Sequence, residues 1–466
     1  MWKARLNIMK AKHNEAKTTI LIPEIFIDAY HQQKNNGSNG CVALSELKEK
    51  AWQQFIKTGL PHRNIEEWKY TGLNHFNNLK FELVTAESCQ NNHNGIDQSM
   101  IDSHRIQGAK LIVFIDGHYA GDYSDEMIFS EGVTVEPLSQ CIGSEEGSAA
   151  GSLLTALFEK TKIKPSHIMA QLNTALFEDG LLLNVAKHTC IEDIQCLYIA
   201  TGNKFVNYRH VINLADNACA TLIETSISLG DSTAGFTNIV STGNLARGAT
   251  FNHYKLSQES KTQQHIAGLF VDQAKGSFLR SHHAALGGDL TRYDVDVKLH
   301  EPGAHCFLDG IYIPTAKQHV DNHVLVEHLA SHTTSEQHFK GVLDDQSRGV
   351  FNGKVIVHEG TSQITAHQSN HNLLLSSRAE INTKPELEIY ADDVKCSHGA
   401  TVGQLDEKAL FYLKSRGIAE SEARGLLTHA FVSDIIAKIV VKNIHDHVEC
   451  AARVKMDRTV VGFNDA

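Results

Sequence analysis

Residues 248–313 read GATFNHYKLSQESKTQQHIAGLFVDQAKGSFLRSHHAALGGDLTRYDVDVKLHEPGAHCFLDGIYI. Three β-rich runs inside this stretch, ATFNHYKLS, SFLRSHHAAL and CFLDGIYI, each open on a glycine and a small residue: Gly248-Ala249, Gly276-Ser277 and Gly303-Ala304. The three glycines lie 28 and 27 residues apart. A loose repeat of that length marks stacked units. The same texture reaches from about residue 165 to residue 403, through LLLNVA, CLYIAT, ATLIETSIS, HVLVEHLAS, VFNGKVIVHEG, SQITAHQSNHNLLLS and LEIYADD, with further openings at Gly349-Val350 and Gly360-Thr361. Little of it has a helical period, and the runs are not joined by hairpin Asn-Gly turns. Short strands without tight turns suit a solenoid, in which each strand pairs with its counterpart one coil away and aliphatic side chains stack inside. Pattern alone leaves an ordinary β-sandwich open beside it.

The flanks read differently. In ALSELKEKAWQQFIKT, residues 43–58, Leu44, Leu47, Ala51 and Phe55 fall on one helical face, and Gly59 and Pro61 end the helix. Residues 82–108 are polar and read as a loop. LIVFIDGHYAGDYS, residues 111–124, reads as strand, Asp-Gly turn, strand. After 403 helices return: Asp406 caps EKALFYLKSR, and Gly417 follows it. In 420–439, Ala423, Leu426, Leu427, Ala430 and Phe431 form an apolar stripe, expected to pack on helix 406–416 and to leave Arg424, Thr428 and Ser433 for a partner. Residues 455–466 read as a frayed tail. The chain thus divides into 1–160, helical and mixed; 161–403, the β core; and 404–466, helical.

Composition narrows the function. Lys and Arg number 43 against 54 Asp and Glu, a net charge of −11 without any basic block, which argues against nucleic acid as a partner. No run of about 18 apolar residues offers a membrane span. The N-terminus MWKARLNIMKAKHNEAK lacks the apolar stretch of a secretory signal, so the expected location is cytoplasmic, with Met1 or Met9 as the start. Nine cysteines, an odd number without a Cys-x-x-Cys pair, argue against a disulfide framework and for core thiols.

Several clusters invite chemistry. His323-Val-Leu-Val-Glu327-His328 has one residue too many for an inverted zinc-protease motif, and on a strand its histidines point to opposite faces. His367 and His371, like His328 and His332, stand about 13 Å apart on a strand. Asp344-Asp345 and Asp392-Asp393 read as turns, whereas a carbohydrate-active enzyme on a β-helix needs two carboxylates facing one bond. No Gly-x-x-x-x-Gly-Lys-Ser/Thr loop is present, so the chain has no nucleotide site of that kind. Cys396 and His398 share one face of a strand, about 6.6 Å apart, and their donor atoms suit iron or zinc. They supply two ligands where a closed site needs about four. Spacing alone favours Cys396 as a core thiol in phase with Val394.

Two segments carry a resemblance. Residues 369–431, SNHNLLLSSRAEINTKPELEIYADDVKCSHGATVGQLDEKALFYLKSRGIAESEARGLLTHAF, resemble the SufD subunits of the SUF iron–sulfur cluster assembly machine, and so does LPHRNIEEWKYTGL, residues 60–73. Lys395-Cys-Ser-His-Gly-Ala-Thr401 favours SufD over its sister SufB. The resemblance implies a mainly β chain: a right-handed parallel β-helix between an N-terminal, largely helical region and a C-terminal helical domain. It implies a non-enzymatic scaffold that pairs with SufB, forms a homodimer in isolation and docks the SufC ATPase on its C-terminal helices, where Arg424, Thr428 and Ser433 stand. It implies that a transient cluster or iron sits at the SufB interface, with His398 and Cys396 as the metal-binding pair. Flavin is associated with the family, but no residue here marks a flavin site. A pure adaptor without metal ligands fits the same residues.

Overall fold

One residue per coil sets this chain's architecture. His188, Asn217, Gly248, Gly276, Gly303, His332 and Gln363 occupy equivalent corners, each at a φ between 54° and 77°. All seven donate the backbone N–H to a carbonyl of the next coil, at 2.7–3.1 Å: His188 to Asp216, Asn217 to Arg247, Gly248 to Lys275, Gly276 to Pro302, Gly303 to His332, His332 to Ser362 and Gln363 to Asp393. The repeat seen at three glycines is therefore real and longer, with Asn, His and Gln filling the same left-handed position. Gly349 and Gly360 lie outside this column, Gly349 within a strand.

The computed structural model describes residues 22–35, 42–84, 95–142, 149–160, 163–230 and 234–461. The basic leader, Cys41, Cys89, residues 85–94 of the expected loop and the last five residues lie outside these. Four short strands come first: β1 (Glu82–Leu83), β2 (Lys110–Ile115), β3 (His118–Tyr119) and β4 (Thr134–Pro137). The β2–β3 hairpin turns at Asp116 and Gly117, both at positive φ, as the Asp-Gly pair predicts. The coils then alternate between two sheets. One holds β5 (Asp179–Val185), β7 (Lys204–Leu214), β9 (Phe236–Leu245), β11 (Gln264–Gln273), β13 (Leu290–Leu299), β15 (His319–His328), β17 (Arg348–Val357) and β19 (Glu380–Ile389). The other holds β6 (Ile194–Ala200), β8 (Cys219–Ser228), β10 (Thr250–Ser257), β12 (Phe278–Ala285), β14 (His305–Tyr312), β16 (Thr334–Leu343), β18 (Ile364–Leu374) and β20 (Val394–Gly403). Every pairing within these two sets is parallel, so the chain is a β-solenoid and the sandwich falls away.

Alternate residues face inward and stack rung on rung. Val271, Val297, Val326, Val355 and Leu387 form one such column. Each fully buried member contributes about 1.5–3 kcal/mol. The aliphatic stack is interrupted by a polar cluster in the first coils. There Glu224 accepts from Lys255 Nζ at 2.9 Å and from Ser241 at 2.9 Å, and lies 2.9 Å from His253 Nε2, all fully buried. Burial opposes the charge on Glu224, but Lys255 and His253 outweigh it and hold the carboxyl well below its ordinary range.

Helices cover both outer faces. α1 (Glu24–Asn35), α2 (Val42–Thr58) and a helix after residue 161, Ile168–Leu176, pack Phe26, Phe55, Met169 and Leu172 against Phe205, Phe236, Ile266 and Leu290. Gly59 ends α2 at φ 69°, its N–H on Phe55 O. Three further helices are described in the N-terminal region: α3 (Gln98–His104), where a loop was expected, α4 (Leu138–Ile142) and α5 (Ala149–Lys160); Ile168–Leu176 is α6. At the other end come α7 (Glu407–Ser415), α8 (Glu420–Ile436) and α9 (Lys442–Val461). α9 replaces the expected frayed tail as far as Val461. Its Ile444, Val448, Ala452 and Met456 recur every four residues and join α8 in a core with Tyr254, Leu256, Ile311 and Val342 of the second sheet. The C-terminal helices therefore share a core with the solenoid.

The LPHRNIEEWKYTGL segment is a clasp across the first sheet. Trp68 is buried with its ring 3.6 Å from the Arg292 guanidinium, which donates to Glu67 O at 2.9 Å and to Asp321 at 2.7 Å. Thr71 donates to the same Asp321, and Glu66 pairs with Lys384 of β19 at 2.9 Å. Burial opposes ionisation of Asp321, yet His323 and Arg292 hold its carboxyl far below the ordinary range.

Arg292→Ala strands Asp321 in the core and should cost about 3–5 kcal/mol. Trp68→Ala should cost about 3–5 kcal/mol, and the double variant less than the sum, because the two side chains act as one contact. Urea unfolding measures this, and strict additivity would refute the clasp. A second outcome concerns acid. Burial pushes His210, His282 and His328 down to about 4, and His283 well below the ordinary imidazole value. Their folded values lie below the unfolded one, so the unfolded chain takes up protons first as pH falls from about 6.5. Each such histidine then removes up to about 1.4 kcal/mol per pH unit. Asp179, Asp309 and Asp344, pushed up by burial, offset part of this. Glu224 and Asp321 add a further loss below the ordinary carboxylate range. Stability should be level near pH 7 and fall steeply from 6.5 to 4. A urea midpoint unchanged at pH 5 would show that these imidazoles are not held neutral.

Candidate functional site

Among the described residues nothing caps the solenoid at β19 and β20. On β18, one rung earlier, Ala366, Gln368, Asn370 and Asn372 are buried. Their partners on β20 are Cys396, His398, Ala400 and Val402, which occupy the same inward-facing register with no coil above them. Cys396 is half-buried and packs on the aliphatic interior, whereas His398 is exposed. Burial raises the Cys396 thiol, and a hydrogen bond from the Ala366 backbone opposes the shift. Beneath His398, Gln368 donates to Gln337 Oε1 at 3.3 Å while its own Oε1 has no partner among the described residues. An unused acceptor thus lies one rung below the imidazole. Ile389, Tyr390 and Val402 leave apolar surface at the same end, and Pro385 of β19, without an N–H, stands where an edge strand tolerates it.

The shared face expected for Cys396 and His398 is the one the register places them on. Among the described residues no group of three or more His, Cys, Asp or Glu is arranged to hold a metal ion. The pair is therefore two donors at an open end, with room for more from outside. His367 and His371 lie on the other face of β18 and bond Ser397 at 2.7 Å and Thr401 at 2.8 Å. His328 points inward to Thr333 and Ser335, and His323 outward to Asp321, so the apparent protease motif is split between two faces. Asp345 turns the chain at φ 55°, its N–H on the Asp344 carboxylate.

The C-terminal helices correct one expectation. Thr428 is 0% exposed, with its hydroxyl on Arg424 O at 2.8 Å, so it cannot meet a partner directly. The buried stripe of α8 is Ala423, Thr428, Val432, Ile435 and Ile436, and it faces the second sheet. Leu426, read as core, is 49% exposed. Ser433 bonds Ala430 O at 3.1 Å and Arg424 is half-buried. Large apolar side chains left in solvent on these helices include Phe411 and Tyr412 of α7, 74% and 55% exposed, and Leu426 of α8. The four-residue recurrence of Thr428, Val432 and Ile436 was the available signal for the true face. Cys196 and Cys306 are interior thiols, as expected, but Cys190 and Cys219 are bonded to each other across adjacent coils, which scattered positions did not suggest.

No helix among the described residues is long and apolar enough to cross a membrane. Residues 197–431 match the family model described as SUF system FeS cluster assembly, SufBD core domain, and residues 22–196 match the SufBD protein N-terminal region. The chain is 32% identical over 383 residues to the iron-sulfur cluster assembly protein SufD of Escherichia coli, covering 82% of this chain and 86% of that one. It is 29% identical to an iron-sulfur cluster assembly SufBD family protein of Synechocystis, covering 82% and 84%. With SufD of Bacillus subtilis the identity is 26%, over 63% and 68%. A solenoid clasped by its N-terminal signature, with homologues named SufD matched over most of their length, belongs to the SufBD family of SUF-system iron–sulfur cluster assembly proteins.

Proposed function

We propose that the chain is a non-enzymatic scaffold subunit whose open end, β19 and β20, docks a SufB subunit and there helps hold iron or a nascent iron–sulfur cluster as cargo. The observation that carries this reading is the placement of Cys396 and His398 in the inward register of an uncapped last coil. An edge strand offers a row of unpaired N–H and C=O groups, and a second solenoid docked end to end continues the sheets. Such a partner supplies the ligands that two donors on one strand lack. His398 is the better ligand of the two, since Cys396 is half-buried with its thiol raised, which disfavours the thiolate. The raised thiol also gives the adaptor reading, in which neither residue binds metal, its one supporting observation. Phe411, Tyr412 and Leu426 form the surface we assign to the SufC ATPase, in place of Thr428. Arg424 and Ser433 flank the inner side of that helix and stay candidates at its margin. The expected location remains the cytoplasm.

The test is co-purification with SufB and SufC homologues, followed by anaerobic iron and sulfide analysis. His398→Ala removes an exposed side chain and should change stability by less than about 0.5 kcal/mol. It should retain both partners and lower iron and sulfide at least tenfold. Phe411→Ala with Leu426→Ala should lose SufC and keep SufB. Truncation after 403 is a poorer probe, because it strips the core that α8 and α9 share with the second sheet. Normal iron and sulfide in an intact His398→Ala complex would establish the adaptor instead.

A further inference from the structure

Cys190 and Cys219 sit at one corner of two successive coils, Cα atoms 4.4 Å apart, joined as an isolated parallel bridge. The backbone holds them there independently of sulfur: Cys219 N–H donates to Thr189 O at 2.9 Å, and Ile191 N–H to Cys219 O at 3.1 Å. Cys190 is exposed and Cys219 half-buried. Of the other described cysteines, Cys141, Cys196 and Cys306 are buried, and burial pushes all three thiols upward, Cys141 to about 12. Cys396 and Cys450 have no cysteine bonded to them. Lys187, His188 and Arg247 stand on the same corner, with Lys187 and Arg247 both on Asp216, at 3.8 and 3.7 Å. Solvent reaches the Cys190 sulfur, and Lys187 and Arg247 stand near it with Asp216 between them.

We propose that Cys190 and Cys219 are a reversible oxidation site, a preformed dithiol closed by small hydroperoxides. The Cys190 thiolate attacks the outer oxygen of ROOH. The O–O bond breaks, ROH leaves after taking one proton, and Cys190 becomes a sulfenic acid. The Cys219 thiolate then attacks that sulfur; the S–S bond forms, the S–O bond breaks, and hydroxide leaves as water. Two thiols are oxidised and one peroxide is reduced. Because the ladder already sets the spacing, neither redox state needs another backbone. The closed form cross-links the first complete coil to the second and stabilises that end of the stack. The site lies on the side of the solenoid and does not depend on the metal reading of Cys396 and His398.

The experiment takes the full chain, reduced and desalted, and adds hydrogen peroxide without air. Free thiols in denaturant should fall from nine per chain to seven, and peptide mass mapping should find residues 190 and 219 linked. The unfolding temperature should rise and return on adding dithiothreitol to the folded protein. Cys190→Ser should abolish both changes. Cys219→Ser should stop at a sulfenic acid on Cys190, trapped by dimedone. Oxidation confined to Cys396 or Cys450, sulfinic acid at Cys190 in the unaltered chain, or a bond that dithiothreitol cannot open without unfolding would each overturn the proposal.

Discussion

The backbone N–H at each left-handed corner is the constraint on which the rest of the chain hangs. A residue held at positive φ turns the strand out of one sheet, and in all seven of the corners described its amide points at the coil above. If one corner slipped by a residue, every following strand would exchange its inner and outer faces. The corner column therefore keeps valine over valine in the interior, the clasp over Arg292 on one flank, and Cys396 and His398 in the inward register of the last rung.

Much of this was legible in the sequence, for identifiable reasons. The β core shows as short runs because stacked parallel strands need no hairpin chemistry. The regular corner was only half visible. Glycine marks three consecutive coils, but Asn217, His188, His332 and Gln363 do the same work and look like ordinary loop residues. The helix at 43–58 and the Asp-Gly hairpin were readable because their signals are local. The face of α8 was not: Thr428 is polar by type but buried, and Leu426 apolar but exposed, so composition pointed to the wrong side. The pairing of Cys190 with Cys219 is invisible without the register, since the positions are 29 residues apart in a chain of nine cysteines.

The interior has two characters along its length. Early coils enclose an ionised cluster around Glu224, each charge answered at 2.9 Å, which ties register to specific partners. Middle coils are closed by aliphatic columns and by Phe339 and Phe351 in contact. The final coils become polar again through Gln337 and Gln368, ending at His398 in solvent. A burial gradient on a single ladder thus delivers a hydrophilic inner wall to the place where the stack stops.

The core that α8 and α9 share with the second sheet has a mechanical meaning. Lys340 of β16 pairs with Asp434 of α8 and Lys438, just after α8, pairs with Asp309 of β14, while Ile435, Ile439 and Val448 share a core with the strands. A load on these helices therefore passes to the second sheet through packed side chains and two ion pairs.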